Sequence, residues 1–395
     1  MRVLYLHQYF ATPSSNGGTR SYHIAKALID KGHEVEFITS SAFVPKDWLL
    51  TSGWNKINHE GIHLNILKQP YSNRTTFFRR IVIFLLFAVR STFKAASTPC
   101  DLVYATSTPL SIAIPGVLAS KIRRVKLVFE VRDLWPTIPV AMKVIRSRPV
   151  IFFSRILERW AYRNSDAIVA LSPGMALGIA EALEPINPIS VIPNFSDVRL
   201  FQDGAGQKGV FEQSCPWIGG RKLVVYAGTF GTVNNLSYLI DVAYWASKSD
   251  KSVCFLLIGG IFNENVYFLG PMPKRQLAGA FAAAHILVST ILPISELAHN
   301  SANKFFDALA AGKPIAINHL GWQAEIISEH GIGVLMNPLS AQQGASSLLK
   351  FINNASCLDT ASIAALALAK TAYSVEVLTD QAVTLVESLI KKTDG

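Results

Sequence analysis

Short apolar runs alternate with helical patterns from the first residues onward. Residues 3–6 (Val-Leu-Tyr-Leu) predict a buried strand, 22–30 a helix with Ile24, Ala27 and Leu28 on one face, and 34–39 the next strand. The rhythm continues through strands predicted at 101–105, 126–130, 167–171 and 189–192. Strands separated by helices in this way build a parallel sheet covered on both faces. Between 199 and 221 the periodicity lapses into Gly, Asp, Gln and Lys, which predicts a linker. It restarts with strands at 222–227, 253–258 and 285–289 and a helix over 236–247. The expected layout is an α/β chain of two doubly wound domains, 1–198 and 222–374. A terminal helix over 375–395 follows, whose place the pattern leaves open, a return to the N-terminal domain being one option. Two such domains joined by a polar linker place the natural ligand site in the cleft between them.

Composition narrows the class. The 395 residues are 50% hydrophobic and only 16% charged, with mean hydropathy +0.29, which excludes a disordered or collagenous chain. Cys100, Cys215, Cys254 and Cys357 lie far apart with no C-x-x-C, so they suggest buried free thiols rather than a disulfide framework or zinc site. The apolar start is too short for a signal peptide or a membrane span. Charge is uneven: residues 1–200 hold 24 Lys and Arg against 13 Asp and Glu, whereas 201–395 hold 13 against 14. An excess confined to one half points to a polyanionic partner on that half.

One segment helps to choose that partner. No acidic residue lies between Glu60 and Asp101, and this window contains nine consecutive apolar residues, Ile81 to Val89, flanked by Arg79, Arg80, Arg90 and Lys94. On a helix these four cations share an arc of roughly 100°, with Phe and Leu around the remainder. That suits a helix lying in an anionic membrane interface; the alternative is an internal crossover helix whose long cations reach outward. Nucleic acid is not expected, because no helix-turn-helix, finger or RNP-type signature accompanies the charge.

Three stretches carry candidate chemistry. Pro13-Ser14-Ser15-Asn16-Gly17-Gly18-Thr19-Arg20 joins the first strand to its helix, where paired glycines let backbone N–H groups approach phosphate or sugar oxygens; a plain tight turn is the alternative. Gly228 and Thr229 repeat the device in the second half. Ser301, Asn303, Lys304 and Asp307 open a helix expected to end at Gly312, with Lys304 and Asp307 three apart on one face. A lysine in the first turn suits a diphosphate, and a carboxylate one turn later can accept both hydroxyls of a ribose; a simple ion pair between the two is the alternative. The G-x-G-x-x-G at Gly204, Gly206 and Gly209 is rejected as a dinucleotide fingerprint, since no strand leads into it and no helix leaves it.

Together these stretches resemble the retaining glycosyltransferases of family 4, of GT-B fold, and within them the bacterial O-antigen and capsule enzymes similar to N-acetyl-L-fucosaminyl transferases. The resemblance runs through Gly17-Gly18-Thr19-Arg20, Val131-Arg132-Asp133-Leu134-Trp135-Pro136, Val169-Ala170-Leu171-Ser172-Pro173-Gly174, Val191-Ile192-Pro193-Asn194, Tyr226-Ala227-Gly228 and Asn303-Lys304-Phe305-Phe306-Asp307. It implies two Rossmann-like domains and hexosyl transfer from a nucleotide-sugar donor to a polyprenyl-diphosphate-linked saccharide. The setting it implies is the cytoplasmic face of the inner membrane, during synthesis of lipopolysaccharide or capsule. Asp307 falls where the second Glu of the family's E-x7-E motif clamps the donor ribose, and His299 occupies the first Glu position. Asp133, with Arg132 beside it, falls at the polar loop near the reacting sugar; an ion pair between the two is the structural alternative. No cofactor or metal is expected, the nucleotide sugar being a substrate. A nucleotide-sugar epimerase or hydrolase of the same fold, or a sugar-nucleotide-binding protein without turnover, are the competing readings.

Overall fold

A computed structural model of the chain describes residues 1–15, 17–69, 77–183, 188–259 and 266–391. The chain divides into one unit of Met1–Pro193 with the residues from Leu378 onward, and a second of Asn194–Val377. The strands of the first unit are β1 (Arg2–Leu6), β2 (Glu34–Ser40), β3 (Trp54–His59), β4 (Ile62–Leu67), β5 (Leu102–Thr106), β6 (Lys126–Val131), β7 (Ala167–Ala170) and β8 (Ile189–Val191). Among the described residues they form one sheet in the order β3-β4-β2-β1-β5-β6-β7-β8, parallel except for the edge hairpin β3-β4. The strand order reverses direction at β1, so the loops after β1 and β5 diverge and open a crevice at the carboxyl ends of the strands.

The hairpin β3-β4 was not expected from the sequence. Its turn is Glu60-Gly61, with φ of 51° and 87°, the left-handed pair that normally draws Asn or Asp before Gly. The Glu60 carboxylate accepts a 2.6 Å hydrogen bond from the Tyr22 hydroxyl, which holds this unusual turn residue in place.

Helix placement follows from strand order. The crossover from β1 to β2 runs in the opposite direction to those from β4 to β5, β5 to β6 and β6 to β7, and right-handed connections therefore put its helix on the other face. That helix, Arg20–Asp30, is joined by the terminal helix Val375–Lys391 through the pairs Lys31–Asp380 and His33–Glu387, at 2.9 and 3.0 Å. On the opposite face, Phe77–Ser97 packs against Ala113–Arg123, which packs against Arg148–Arg163. Phe77–Ser97 is thus an internal crossover on one side, burying Ile83, Phe87, Ala88 and Ala95. Its other side exposes Val82, Leu85, Leu86, Val89 and Phe93, the last at 72%. Arg79 and Arg90 are exposed beside this apolar stripe, whereas Arg80 and Lys94 are half-buried at its margin.

The second unit has β9 (Lys222–Ala227), β10 (Val253–Ile258), β11 (Val266–Leu269), β12 (Ile286–Ser289), β13 (Ile315–Ile317) and β14 (Gly333–Leu335), all parallel in the order β11-β10-β9-β12-β13-β14. Residues 199–221 are not a polar linker. They fold into the helices Val198–Asp203 and Lys208–Ser214 with short 3-10 turns, packed on the helix Lys274–Ala283. Gly204 lies where an added Cβ would collide with the Cβ of Ala278, so this glycine permits close helix packing rather than marking a break. Cys215 and Cys254 are buried, but Cys100 is only half-buried and Cys357 is exposed on the surface of the helix Ala355–Thr371, which corrects the expectation of four buried thiols. No single helix among the described residues is long and apolar enough to cross a membrane. The helices Ala341–Ile352 and Ala355–Thr371 reach that length only as a pair bent by 88°.

Within Arg148–Arg163, Glu158 is 5% exposed and accepts a 3.3 Å hydrogen bond from the Tyr162 hydroxyl. Burial pushes its pKa up to about 7, against the opposing Tyr162 bond and the charges of Arg159 and Arg155. A carboxyl raised in the folded state contributes full stability below its unfolded pKa and loses it as pH rises toward 7. Glu158→Gln should therefore raise the melting temperature at pH 8 and change it little at pH 4, the gap corresponding to about 3 kcal/mol. Thermal denaturation at the two pH values checks this; equal shifts at both would show that Glu158 is not held protonated.

Candidate active site

In the first unit the candidate residues gather at the carboxyl ends of β1, β5 and β6. Glu130 lies in β6, and Arg132 and Asp133 follow that strand's last residue. The Thr108 hydroxyl, just beyond β5, donates a 2.8 Å hydrogen bond to Asp133 Oδ2, and the Arg132 N–H donates to Ser107 Oγ at 3.0 Å. Burial raises the Asp133 pKa, opposed by the Thr108 bond and the Arg132 charge. Burial also lowers the pKa of Arg132, and no ion pair joins the two side chains among the described residues. Asp133 is therefore a carboxylate fixed in orientation with elevated basicity, the property a proton acceptor needs. His7, at the end of β1, is 1% exposed, and its Nδ1 lies 2.9 Å from Ser21 Oγ. Burial holds the His7 pKa well below its ordinary value, and Arg132 pushes in the same direction, so the ring is neutral near pH 7.

The glycine turn follows β1. Gly17 is exposed, and a Cβ there would come within 2.8 Å of Ala11 Cβ; Gly18 is half-buried. Thr19 caps the helix Arg20–Asp30 without a side-chain hydrogen bond to its first turn. The last residue of the motif points away from the turn: Arg20 is 3% exposed and bonds Glu130 through Nε and Nη2, both at 2.9 Å.

In the second unit Gly228 and Thr229 follow β9, and Lys304 meets them from the helix Asn303–Ala310. A Cβ on Gly228 would stand 2.5 Å from Lys304 Cε, so a larger residue here would displace the end of this lysine from its present position. Lys304 Nζ donates to Asn234 Oδ1 at 2.8 Å and lies 5.3 Å from the centre of the Tyr226 ring. Asn234 in turn donates to Thr229 O at 2.9 Å, so the turn and the ammonium are braced together. No carboxylate pairs with Lys304 among the described residues, and burial pushes its pKa down to about 8 against the field of Asp307. Asp307 instead pairs with Lys274 through Oδ1 at 2.7 Å, each side chain being 14% exposed. Burial raises its pKa and Lys274 opposes the shift. Asn303 is exposed, while Ser301 is 5% exposed and its carbonyl accepts from Asn194 Nδ2 at 2.6 Å, so Ser301 anchors the segment after β8. His299 is half-buried at the end of the 3-10 turn Ser295–His299.

Thr108, Asn234, Lys274 and His7 were not assigned roles from the sequence. Thr108 had one available signal, a Thr-Ser-Thr-Pro run at the end of a predicted strand; Lys274 had none, because its partner is 33 residues away in the chain.

Residues 17–194 match the model of the glycosyl transferase 4-like domain, and residues 221–354 that of the glycosyl transferases group 1. The two matches span most of the chain, which belongs to the glycosyltransferases of GT-B fold. Among solved structures, a sucrose-phosphate synthase from Thermosynechococcus elongatus superposes with a TM-score of 0.75 at 16% identity, covering 99% of both chains. The α,α-trehalose 6-phosphate synthase from Burkholderia multivorans gives 0.76 at 12%, also over 99% of both. Anabaena HepE in complex with UDP and glucose gives 0.68 at 18%, over 98% of this chain and 100% of the other. At such identities these likenesses establish the shared fold. No curated protein matches the sequence.

The pairing of Asp307 with Lys274 has a direct consequence for stability. Lys274→Ala leaves a carboxylate enclosed without its counter-charge and should destabilise the chain by about 3 kcal/mol. Adding Asp307→Ala should recover part of that loss, as expected of a coupled pair. Denaturant unfolding of the two single variants and the double variant provides the check; strict additivity would mean that the pair carries no coupling.

Proposed function

We propose that this glycosyltransferase takes a sugar from a nucleotide-sugar donor bound by the second unit. It delivers the sugar, with retention, to a polyprenyl-diphosphate-linked saccharide bound by the first unit, on the cytoplasmic face of a bacterial membrane during assembly of surface polysaccharide. The observation that carries the donor half is Lys304, an enclosed ammonium with an amide oxygen and an aromatic face around it but no anionic partner among the described residues. A diphosphate supplies the missing charge. Asp307 then serves the ribose: Lys274 meets Oδ1, and Oδ2 is left to accept sugar hydroxyls. On the acceptor side, the Thr108-held Asp133 takes the proton of the attacking hydroxyl. The hydroxyl oxygen forms the new bond to the anomeric carbon while the bond to the diphosphate breaks, its electron pair leaving on the phosphate oxygen. Lys304 stabilises that departing charge. The support for a membrane-bound acceptor is the exposed apolar stripe and cations of Phe77–Ser97.

Two measurements test the reading. Lys304 titrates near pH 8 when free, and a diphosphate favours its protonated form, so binding of UDP or GDP should take up a proton and weaken as pH rises above about 8. Lys304→Ala should weaken binding roughly tenfold to hundredfold and abolish the proton uptake. Calorimetry in buffers of different ionisation enthalpy reads both, and unchanged affinity in the variant overturns the donor assignment. For Asp133→Asn, turnover should fall far more than donor affinity, because an amide cannot take a proton. An effect on KM alone in steady-state kinetics would reassign Asp133 to binding.

A further inference from the structure

The helix Arg148–Arg163 exposes Phe152 at 61%, Phe153 at 66% and Ile156 at 48%. Glu158, Ala161 and Tyr162 point inward and fix its orientation on the sheet. At about 100° per residue, Arg155, Arg148, Arg159, Phe152, Arg163, Ile156 and Phe153 follow one another around an arc of about 160° on the outer side. This is the same mixture of bare apolar and cationic side chains that Phe77–Ser97 displays, on a helix of the same layer. Between them Ala113–Arg123 exposes Ile122 at 59% beside Lys121. The three helices contain a single acidic residue, Glu158, and it is buried. No carboxylate pairs with Arg148, Arg155, Arg159, Arg79, Arg90 or Lys94 among the described residues.

Two adjacent exposed phenylalanines rimmed by unpaired arginines mark a surface that another phase or molecule covers. A second copy in a two-fold contact would bring the same cations against themselves, with no acid on the face to answer them. An anionic bilayer answers both features, since rings enter the acyl boundary while guanidinium groups remain at the phosphates. We propose that Arg148–Arg163 is a second membrane-docking element, Phe152 and Phe153 entering an anionic leaflet and Arg148, Arg155 and Arg159 meeting its phosphates. The first unit then rests on the bilayer through a layer of helices instead of pivoting on Phe77–Ser97 alone. This inference rests on the membrane reading above and adds to it the orientation of the first unit.

The test is cosedimentation of the full chain with phosphatidylcholine vesicles, with and without phosphatidylglycerol. The parent should bind only the anionic vesicles. Arg148→Gln/Arg155→Gln/Arg159→Gln should lower the partition roughly a hundredfold, and Phe152→Ser/Phe153→Ser roughly tenfold or more, both with UDP affinity unchanged. The emission of Phe153→Trp, taken as a difference from the parent, should shift to the blue on adding anionic vesicles. If the parent binds no vesicles, the membrane reading falls and this inference with it. If the parent binds, Arg79→Gln/Arg90→Gln/Lys94→Gln weakens it, and the variants of Arg148–Arg163 bind like the parent with no blue shift, then only this inference is overturned. A parent dimer that Phe152→Ser/Phe153→Ser dissociates, with vesicle binding intact, would assign the face to self-association and overturn it as well.

Discussion

The first unit is organised around one buried ion pair. Arg20 and Glu130 are 3% and 0% exposed, so their charges are tolerable only if every lone pair and proton is used. Glu130 Oε2 accepts from Arg20 and, at 3.0 Å, from the Tyr104 hydroxyl, while Oε1 accepts from Thr106 Oγ1 at 3.3 Å. Arg20 spends its remaining donors on the carbonyls of Ile192 and Pro193. Three chain segments distant in sequence are thereby fixed to one point: the helix after the glycine turn, the end of β6 and the exit from β8. Because Asp133 is three residues beyond Glu130, the same pair sets the origin from which the candidate base is positioned. Tyr5, stacked on both Phe37 and Tyr104 at 4.7 Å between ring centres, packs the apolar side of this network against the sheet.

Two lysines of the second unit show how environment, rather than residue type, assigns a role. Lys304 belongs to the helix Asn303–Ala310 and Lys274 approaches it from outside, yet Lys274 is neutralised by Asp307 at 2.7 Å and Lys304 contacts only neutral groups. The first arrangement satisfies a carboxylate that burial would otherwise protonate. The second leaves a cation whose desolvation is only partly offset by the field of Asp307, and its lowered pKa of about 8 reports that deficit. A site built to receive an anion has to carry such a deficit in the free protein, because a lysine already paired with a carboxylate would have to break that bond first.

Much of the architecture was legible because parallel strands buried on both faces leave continuous apolar runs, as in β1, β5, β7, β9 and β10. The hairpin β3-β4 was not, since Glu60 stands where the turn type favours Asn, and β13 and β14 are three residues long with no periodicity to read. The helices over 198–214 were hidden by Gly204, Gly206 and Gly209, which imitate punctuation, although Gly204 serves a close helix contact. Lys304, Asp307, Arg132 and Asp133 could be singled out from local spacing and resemblance. Their partners could not: Thr108, Asn234 and Lys274 reach them only through the sheet's strand order, which local sequence does not encode.

The lopsided charge of the sequence also acquires a physical form. On the face of the first sheet that carries Arg20–Asp30, cations are matched: Lys26 with Glu60 and Lys31 with Asp380. On the opposite face the exposed cations of Phe77–Ser97 and Arg148–Arg163 have no such partners among the described residues. A solvated surface gains little from isolated pairs, so their absence alone would carry no weight. What gives the segregation force is its coincidence with bare Phe93, Phe152 and Phe153, since apolar rings gain nothing from water and cations held among them lose hydration. The anionic membrane proposed above would remove both costs together, whereas the paired face is satisfied within the fold itself.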